Sequence, residues 1–259
     1  MPRLLTYNVH RCVGTDRRLD VGRIAAVIAE QEPDIVCLQE LDVGRARTNN
    51  VDQTQAIAEA LSMAFHFHPA MRVEAEMYGD AILTHRPERL IKSAALPSVR
   101  GVPGLEPRGA LWAAIDFDGV TLNVINTHLG LVPREQRLQA AALIGAGWLG
   151  HPDCTGPTIL TGDFNATSVT RPYRALTSRL SDGQRLLGLK PSVKTFPSAF
   201  PAIRIDHMFT SPEIVPTRVW APSSPLARAA SDHLPLVMDF EIRPVSTTSA
   251  ERASAVAMA

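Results

Sequence analysis

Polar side chains follow several predicted strands of this 259-residue sequence, and their types suit phosphoryl transfer. Asn8 and Glu40 end the first two predicted strands, and His128 ends a later one. Asp163 and Asn165 come directly after a further apolar strand. Because α/β folds place ligand sites at the ends of their strands, we expect these side chains to lie close together.

Two carboxylates and one amide in the sequence suit a hard divalent metal ion. Mg²⁺ and Mn²⁺ take oxygen ligands and keep several waters, so one or two carboxylates are enough to hold them. Glu40 and Asp232 are the predicted carboxylate ligands, and Asn8 is the predicted neutral oxygen ligand. The predicted cofactor is therefore Mg²⁺ or Mn²⁺.

A histidine that is oriented by a carboxylate can activate the water that attacks phosphorus. His233 with Asp206 is the predicted pair for this step, and Arg108 could clamp a phosphate oxygen. Taken singly, each of these residues also has a structural explanation, as a strand-end charge or a turn residue. Their chemistry becomes specific only as a set.

The apolar periodicity predicts strands that alternate with a smaller number of helices. Asp20 is a predicted helix N-cap, Pro133 opens another helix, and Asp118-Gly119 predicts a hairpin turn. The predicted strands are residues 3–8, 35–39, 81–84, 111–117, 121–128, 158–161, 203–210, 214–220 and 235–242, and the predicted helices are residues 20–31, 52–63 and 133–145.

The composition indicates one globular domain without a strong charge bias. Lys and Arg together number 26, as do Asp and Glu, so the chain lacks the basic surplus of most proteins that grip long nucleic acid. The three cysteines are far apart and are predicted to be reduced. No apolar run or signal pattern stands out, which predicts a cytoplasmic protein. We expect one domain over residues 1–243 and a disordered tail over residues 244–259.

A series of short motifs resembles that of the endonuclease/exonuclease/phosphatase superfamily, which includes DNase I. The resemblance covers about residues 3–242 and implies a four-layer α/β/β/α sandwich, in which two mixed β-sheets are flanked by helices. The motifs are Thr6-Tyr7-Asn8, Leu38-Gln39-Glu40, Asn126-Thr127-His128-Leu129, Gly162-Asp163-Phe164-Asn165, Ile205-Asp206-His207 and Ser231-Asp232-His233-Leu234-Pro235-Leu236.

The resemblance also implies a role for each residue of the site. Glu40 is the implied central metal ligand, supported by Asn8 and Asp232. The resemblance implies that His233 with Asp206 acts on the attacking water, that Asp163 and Asn165 position the nucleophile and the scissile phosphate, that His128 stabilises or protonates the leaving oxygen, and that Arg108 and Asn126 bind the phosphate.

One departure from the superfamily pattern bears on the metal. Abasic-site endonucleases carry an acidic residue two positions after the first Asn, whereas this chain has His10. We therefore expect one metal ion, although His10 could bind Mn²⁺. The sequence most resembles the compact bacterial branch, with Thr-Tyr-Asn-Val-His at the start and Glu-Pro-Arg-Gly-Ala in the middle.

Three functions remain open from the sequence. The first is a phosphodiesterase or phosphatase acting on a small or lipid-borne phosphate, for which residues 98–106 form either an apolar lip or an ordinary surface turn. The second is a nuclease, and the third is a non-catalytic scaffold that binds a partner in the same groove. A nuclease would use loop arginines around the site, namely Arg17, Arg18, Arg45, Arg47 and Arg100.

His66, His68, His85 and His151 are predicted to be surface or packing histidines without an acidic partner, and Asp34, Asp42 and Asp52 to be caps or loop charges.

Overall fold

The computed structural model describes residues 1–99 and 101–243, which form two β-sheets and the helices that cover them. The strands are β1 (Arg3–Asn8), β2 (Ile35–Val43), β3 (Ala64–Val73), β4 (Glu76–Thr84), β5 (Glu88–Ala95), β6 (Gly109–Phe117), β7 (Val120–His128), β8 (Thr158–Asp163), β9 (Ser181–Asp182), β10 (Asp206–Thr210), β11 (Ile214–Trp220) and β12 (Leu236–Ile242). The helices are α1 (Val21–Ala29), α2 (Gln53–Leu61), α3 (Pro133–Ile144), α4 (Arg171–Leu176), α5 (Gly183–Leu186) and α6 (Pro225–Ala230).

Each sheet has six strands and mixes parallel with antiparallel pairs. The first runs in the order β11-β12-β1-β2-β4-β3, and the second in the order β5-β6-β7-β8-β10-β9. The parallel pairs, β1 with β2 and β7 with β8, occupy the middle of their sheets. The carboxyl ends of these central strands therefore meet at one edge of the molecule, where the sequence places its polar side chains.

Side-chain alternation along the strands creates three apolar layers. In β1, Leu4 enters the core between the two sheets, whereas Leu5 and Tyr7 pack towards α1 on the outer face. A third cluster lies between the second sheet and α3, and it includes Trp112 and Leu143. This arrangement is the predicted α/β/β/α sandwich, so the fold class is confirmed.

Local signals set the helix starts as predicted. The side chains of Asp20 and Asp52 each accept a hydrogen bond from the backbone three residues on, at the N-caps of α1 and α2. Pro133 opens α3, which ends at Gly145. Strands β3, β5 and β9 were not predicted, nor were the short helices α4, α5 and α6.

The predicted disorder of residues 244–259 falls outside the described part of the chain. Among the helices that are described, none has the length and hydropathy that crossing a bilayer requires.

Candidate active site

Strand register brings three of the predicted catalytic side chains into one row. Asp163 at the end of β8 is the cross-strand partner of His128 on one side and of Asp206 on the other. The backbones of β7 and β8 pass very close here, since a Cβ on Gly162 would lie 1.8 Å from the carbonyl oxygen of Thr127. Gly162, with φ of 138°, is the residue that permits this approach. Of the three, Asp163 and His128 line a cleft of about 470 Å³, and Asp206 lies buried behind them.

His233 is held in this cleft by two carboxylates. Its Nδ1 lies 2.9 Å from Oδ2 of Asp206, and its Nε2 lies 3.6 Å from Oδ2 of Asp163. The same oxygen of Asp206 accepts a hydrogen bond from the Thr195 hydroxyl, and the Phe196 ring packs 4.9 Å from the imidazole. Thr195 and Phe196 have no counterpart in the sequence prediction, since nothing in the pattern marks them as neighbours of His233.

The charges in this row are strongly coupled. Burial opposes the protonation of His233, but the carboxylates of Asp206 and Asp163 outweigh it and raise the pKa of His233 above its usual range. Burial likewise raises the pKa of the Asp163 carboxyl, against the opposing charge of His233. Together these residues form a buried chain that can hold and move a proton next to the cleft.

His128 is a neutral donor on the opposite wall. Burial, together with the positive charges of Arg108 and His233, holds the pKa of His128 well below its usual range. Arg108 Nη1 lies 3.0 Å from His128 Nδ1, and because a guanidinium only donates, this nitrogen is the acceptor. The imidazole proton is therefore on Nε2, which lies 3.5 Å from Asp163 Oδ2. The NH₂ of Asn165 is 3.1 Å from this nitrogen, but it donates to the carbonyl of Leu129 and not to the protonated Nε2.

Arg108 is a buried cation that lines the cleft. Its side chain is only 8% exposed, and Nη1 forms an ion pair of 2.5 Å with Glu106, which stands at the mouth. Its Nε is buried without a hydrogen-bond partner among the described residues. Arg108, the arginine that the sequence predicts to bind phosphate, thus lines the cleft, where it is paired with Glu106.

A bulge in β2 directs Glu40 into the cleft. The pairing of β2 with β4 shifts register between Leu38 and Leu41, and Glu40 adopts φ of 63°. Its carboxylate accepts a hydrogen bond of 2.9 Å from Asn8 Nδ2, which also donates to Asp163 Oδ2 at 3.0 Å. The bulge is what moves this side chain from the sheet to the site.

The geometry of Asn8 differs from the prediction that it supplies an oxygen ligand. Two carboxylates accept only, so the amide NH₂ must face Glu40 and Asp163. Its oxygen accepts instead from the backbone N–H of His10 at 3.0 Å. Asn8 therefore orients Glu40 and joins it to Asp163.

The remaining carboxylates of the cleft fit a divalent cation. None of the ion pairs in the described part of the chain includes Glu40, and Asp232 pairs only with His10, at 3.9 Å. Burial raises the pKa of the nearby Asp80 to about 8, against the charge of Arg108 and a backbone hydrogen bond from Glu40. Such an excess of carboxylate oxygens is the donor set that Mg²⁺ and Mn²⁺ prefer.

A second set of donors is less suited to a metal. Asp163, Asp206 and His233 bring three ligand atoms within 4.8 Å of one another. However, the contact of His233 with Asp206 already uses a nitrogen and an oxygen of this set in a hydrogen bond. These residues therefore suit proton transfer better than metal binding, whereas Glu40 and Asp232 line the cleft without a hydrogen bond to His233.

Both nitrogens of His10 are already in use, although the residue lines the cleft. Arg11 Nη2 lies 2.7 Å from Nε2, which must accept, so Nδ1 donates to the carbonyl of Val13 at 3.1 Å. A metal ligand needs a free lone pair, and this imidazole offers none in the arrangement observed.

Asn126 does not line the cleft, which corrects the prediction that it binds phosphate. Its side chain is fully buried between the two sheets. The NH₂ donates to the carbonyls of Leu38 and Ala81, and Oδ1 accepts from Gln39 at 2.7 Å. All of its hydrogen-bonding capacity is used in joining the two sheets beneath the site.

The loop arginines expected for a nuclease do not ring the cleft. Arg47 lines it, but Arg17, Arg18 and Arg45 do not, and Arg100 lies outside the described residues. Arg47 is itself held by Asp42 through two contacts of 2.7 Å. Arg11, absent from the prediction, also lines the cleft.

Two minor predictions were wrong. Asp42 is a fully buried residue of β2 that pairs with Arg47, and neither a cap nor a loop charge. His66 does have an acidic partner, since its Nε2 contacts the carboxylate of Glu88 from β5. The first pair spans five residues, whereas the second joins β3 with β5 across 22 residues.

The family of the chain follows from comparison with known proteins. The model of the endonuclease/exonuclease/phosphatase family matches residues 5–233, and the chain belongs to this family. A comparison with curated proteins finds no significant match.

Solved structures share the fold. An endonuclease/exonuclease/phosphatase from Beutenbergia cavernae is 25% identical with a TM-score of 0.71, and the match covers 95% of this chain and 73% of that one. A mannosyl-6-phosphatase from Bacteroides thetaiotaomicron is 20% identical with a TM-score of 0.74, covering 93% and 100%. The catalytic domain of human nocturnin, with a bound sulfate anion, is 22% identical with a TM-score of 0.70, covering 93% of each chain.

Proposed function

We propose that this chain is a divalent-metal-dependent phosphoesterase, a phosphodiesterase or phosphatase that hydrolyses a P–O bond. The observation that carries the proposal is the buried chain Asp206–His233–Asp163, of which His233 and Asp163 line a cleft that is also lined by Arg108. The names of two structural neighbours, a phosphatase and a protein with bound sulfate, support an anionic oxyester as the ligand.

In the proposed reaction, one group of residues in the cleft acts on the attacking water, and another group acts on the phosphate and the leaving oxygen. Asp206 orients His233, which with Asp163 takes the proton of the attacking water. On the opposite wall Arg108 binds a phosphate oxygen, and His128 offers its Nε2 proton to the phosphate or the leaving oxygen. Asn165 lies next to this nitrogen, where its amide can contact the phosphate.

Glu40 and Asp232 would hold the metal ion, with Asn8 orienting Glu40. When bound, Mg²⁺ or Mn²⁺ would place positive charge beside the phosphoryl oxygens and stabilise the negative charge that develops on them during attack.

A small or headgroup phosphoester is favoured over long nucleic acid. The chain has equal numbers of acidic and basic residues, and of the loop arginines considered for a nuclease, only Arg47 lines the cleft in the described part of the chain. That arginine is already paired with Asp42. A non-catalytic scaffold would not require a buried proton-transfer chain. The cytoplasmic location remains part of this proposal.

A substrate panel with Mn²⁺ or Mg²⁺ tests the proposal. It contains p-nitrophenyl phosphate, bis-p-nitrophenyl phosphate, sugar phosphates, phospholipids and a plasmid. We expect turnover of small phosphoesters that is lost on chelation and in His233→Ala. Plasmid nicking that disappears in Glu40→Ala and His233→Ala would favour the nuclease, and no turnover on any substrate with either metal would refute the proposed activity.

A further inference from the structure

Large aliphatic side chains lie next to the cleft, and two of them are mostly exposed. Leu131 is 73% exposed and lines the cleft, and Val132, which follows it, is 36% exposed. Val169 is 72% exposed and lies four residues after Asn165. Exposed apolar side chains that cluster around a site mark an interaction surface more often than scattered ones do.

Side-chain contacts join these two segments into one surface. Nε2 of Gln136 donates to the carbonyl of Gly130 at 2.9 Å and to the carbonyl of Asn165 at 2.8 Å. Helix α3, which follows Leu131, packs against α4, which follows Val169. The two segments are thus held side by side next to the cleft.

The charges on this surface all have the same sign. In residues 129–144 and 164–180, all of which are described, every exposed charged side chain is an arginine, and the single glutamate, Glu135, is buried. Arg134 and Arg137 lie on the first turns of α3, and Arg171 and Arg174 on α4. Arg174 Nη2 donates to the carbonyl of Val169 at 2.7 Å, which places a cation directly beside an exposed aliphatic side chain.

A further exposed apolar side chain, Phe200, lies on the same loop as Phe196, which lines the cleft. Phe196 and Ile203 pair as an antiparallel bridge, and Phe200 at the turn between them is 80% exposed. Arg228 donates from Nη1 to the carbonyls of Ser198 and Ala199, so a cation lies beside this turn as well. Phe200 therefore lies beside an arginine, as Val169 does.

We propose that Leu131, Val132, Val169 and Phe200, with the arginines of α3 and α4, form a docking surface for an anionic lipid bilayer. Aliphatic tips enter the boundary between headgroups and acyl chains, and arginines beside them contact the anionic headgroups. Nucleic acid fits the surface less well, because its interfaces are polar and wet and its bases stack on aromatic rings, whereas three of these four apolar residues are aliphatic and only Phe200 offers a ring.

Docking would bring a lipid-borne phosphoester to the mouth of the cleft, a consequence that rests on the proposed function. Binding to a bilayer does not depend on turnover. Failure of docking and failure of the proposed activity are therefore distinguishable.

Co-sedimentation of the full chain with sucrose-loaded vesicles tests the surface. We expect binding to vesicles of phosphatidylglycerol and phosphatidylcholine, weakened by salt, and at least tenfold weaker binding to pure phosphatidylcholine. Each surface arginine contributes about fivefold to partitioning onto an anionic bilayer. The double variant Arg134→Glu with Arg137→Glu should therefore bind at least about tenfold more weakly, and Val169→Ser should also reduce binding.

Matched controls lie at the opposite end of the sheets, where Val120 opens β7 and Arg89 pairs with Ala114. Val120→Ser and Arg89→Glu should bind vesicles like the unmodified chain.

Three outcomes would overturn the docking surface. The first is an absence of binding to anionic vesicles, and the second is an equal loss of binding in the control variants. The third is binding of a short DNA duplex, or self-association of the chain, that the surface variants abolish while their vesicle binding persists.

Discussion

The hydrogen bond between Asp206 and His233 is central to the proposed proton transfer, and the substitution Asp206→Asn tests that transfer directly. Asp206 is 1% exposed and does not line the cleft, and its Oδ2 lies 2.9 Å from His233 Nδ1. Asparagine keeps the shape but removes the charge that favours the imidazolium. The substitution therefore changes the proton chain without removing a substrate contact.

The expected magnitude follows from the two effects that the charge provides. A hydrogen bond to a charged group contributes about 1.5–3 kcal/mol, and a positioned general base contributes about 10²–10⁴-fold. We expect kcat to fall about 10²–10³-fold, with KM changed by less than about threefold, because the interaction is made in the transition state.

Steady-state kinetics on bis-p-nitrophenyl phosphate with Mn²⁺ measure both parameters, and circular dichroism checks the fold. Thr195→Val is the matched variant, since it removes the other donor to Asp206 and keeps the charge. It should lower kcat by about tenfold or less. A rise in KM with unchanged kcat in Asp206→Asn would refute the reasoning, because Asp206 would then act on substrate binding.

Other parts of the site and fold give further predictions. Arg108→Met should raise KM at least about tenfold by removing a charged phosphate contact, whereas Glu106→Gln should lower KM by freeing that arginine, and phosphate inhibition constants measure both. Glu40→Gln should weaken Mn²⁺ binding in calorimetry while His233→Ala leaves it unchanged, and equal loss in both would contradict their separate roles. Asp182→Asn should lower the free energy of unfolding by about 3–5 kcal/mol, because it leaves Arg204 buried without its carboxylate, and urea denaturation measures this.

The same Asp182 predicts how stability depends on pH. Burial opposes its ionisation, but His207 Nδ1 at 3.8 Å, together with hydrogen bonds from Arg204 and Tyr173, outweighs burial and holds the pKa of Asp182 well below its usual range. The folded pKa is lower than the unfolded value, so the stabilisation is present above about pH 4 and is lost as the pH falls. The unmodified chain should lose stability on acidification more steeply than Asp182→Asn, and parallel denaturation curves would contradict this.

Much of the fold could be predicted because the central strands and the helix starts carry clear local signals in the sequence. β1 was predicted over its observed residues, and the caps at Asp20 and Asp52 were read from single side chains. β3 and β5 were not predicted because they are edge strands of half-exposed residues, in which the alternation of apolar and polar side chains is weak.

The site could be predicted only to the level of its chemistry. Two-residue alternation correctly placed Asn126 and His128 on one face of β7, but Asn126 lies two residues, about 7 Å, deeper and is covered by the other sheet. The bulge that directs Glu40 depends on its pairing with β4, and the orientation of Asn8 depends on two carboxylates brought together by folding. Such relations arise from tertiary contacts, which a sequence pattern does not contain.

The most direct test of the central claim is hydrolysis of bis-p-nitrophenyl phosphate in water enriched in heavy oxygen, with Mn²⁺ present. The account predicts that the label enters the phosphate-containing product, because water attacks phosphorus, and that both turnover and labelling disappear in His233→Ala. Label in the nitrophenol, or undiminished turnover in His233→Ala, would contradict it.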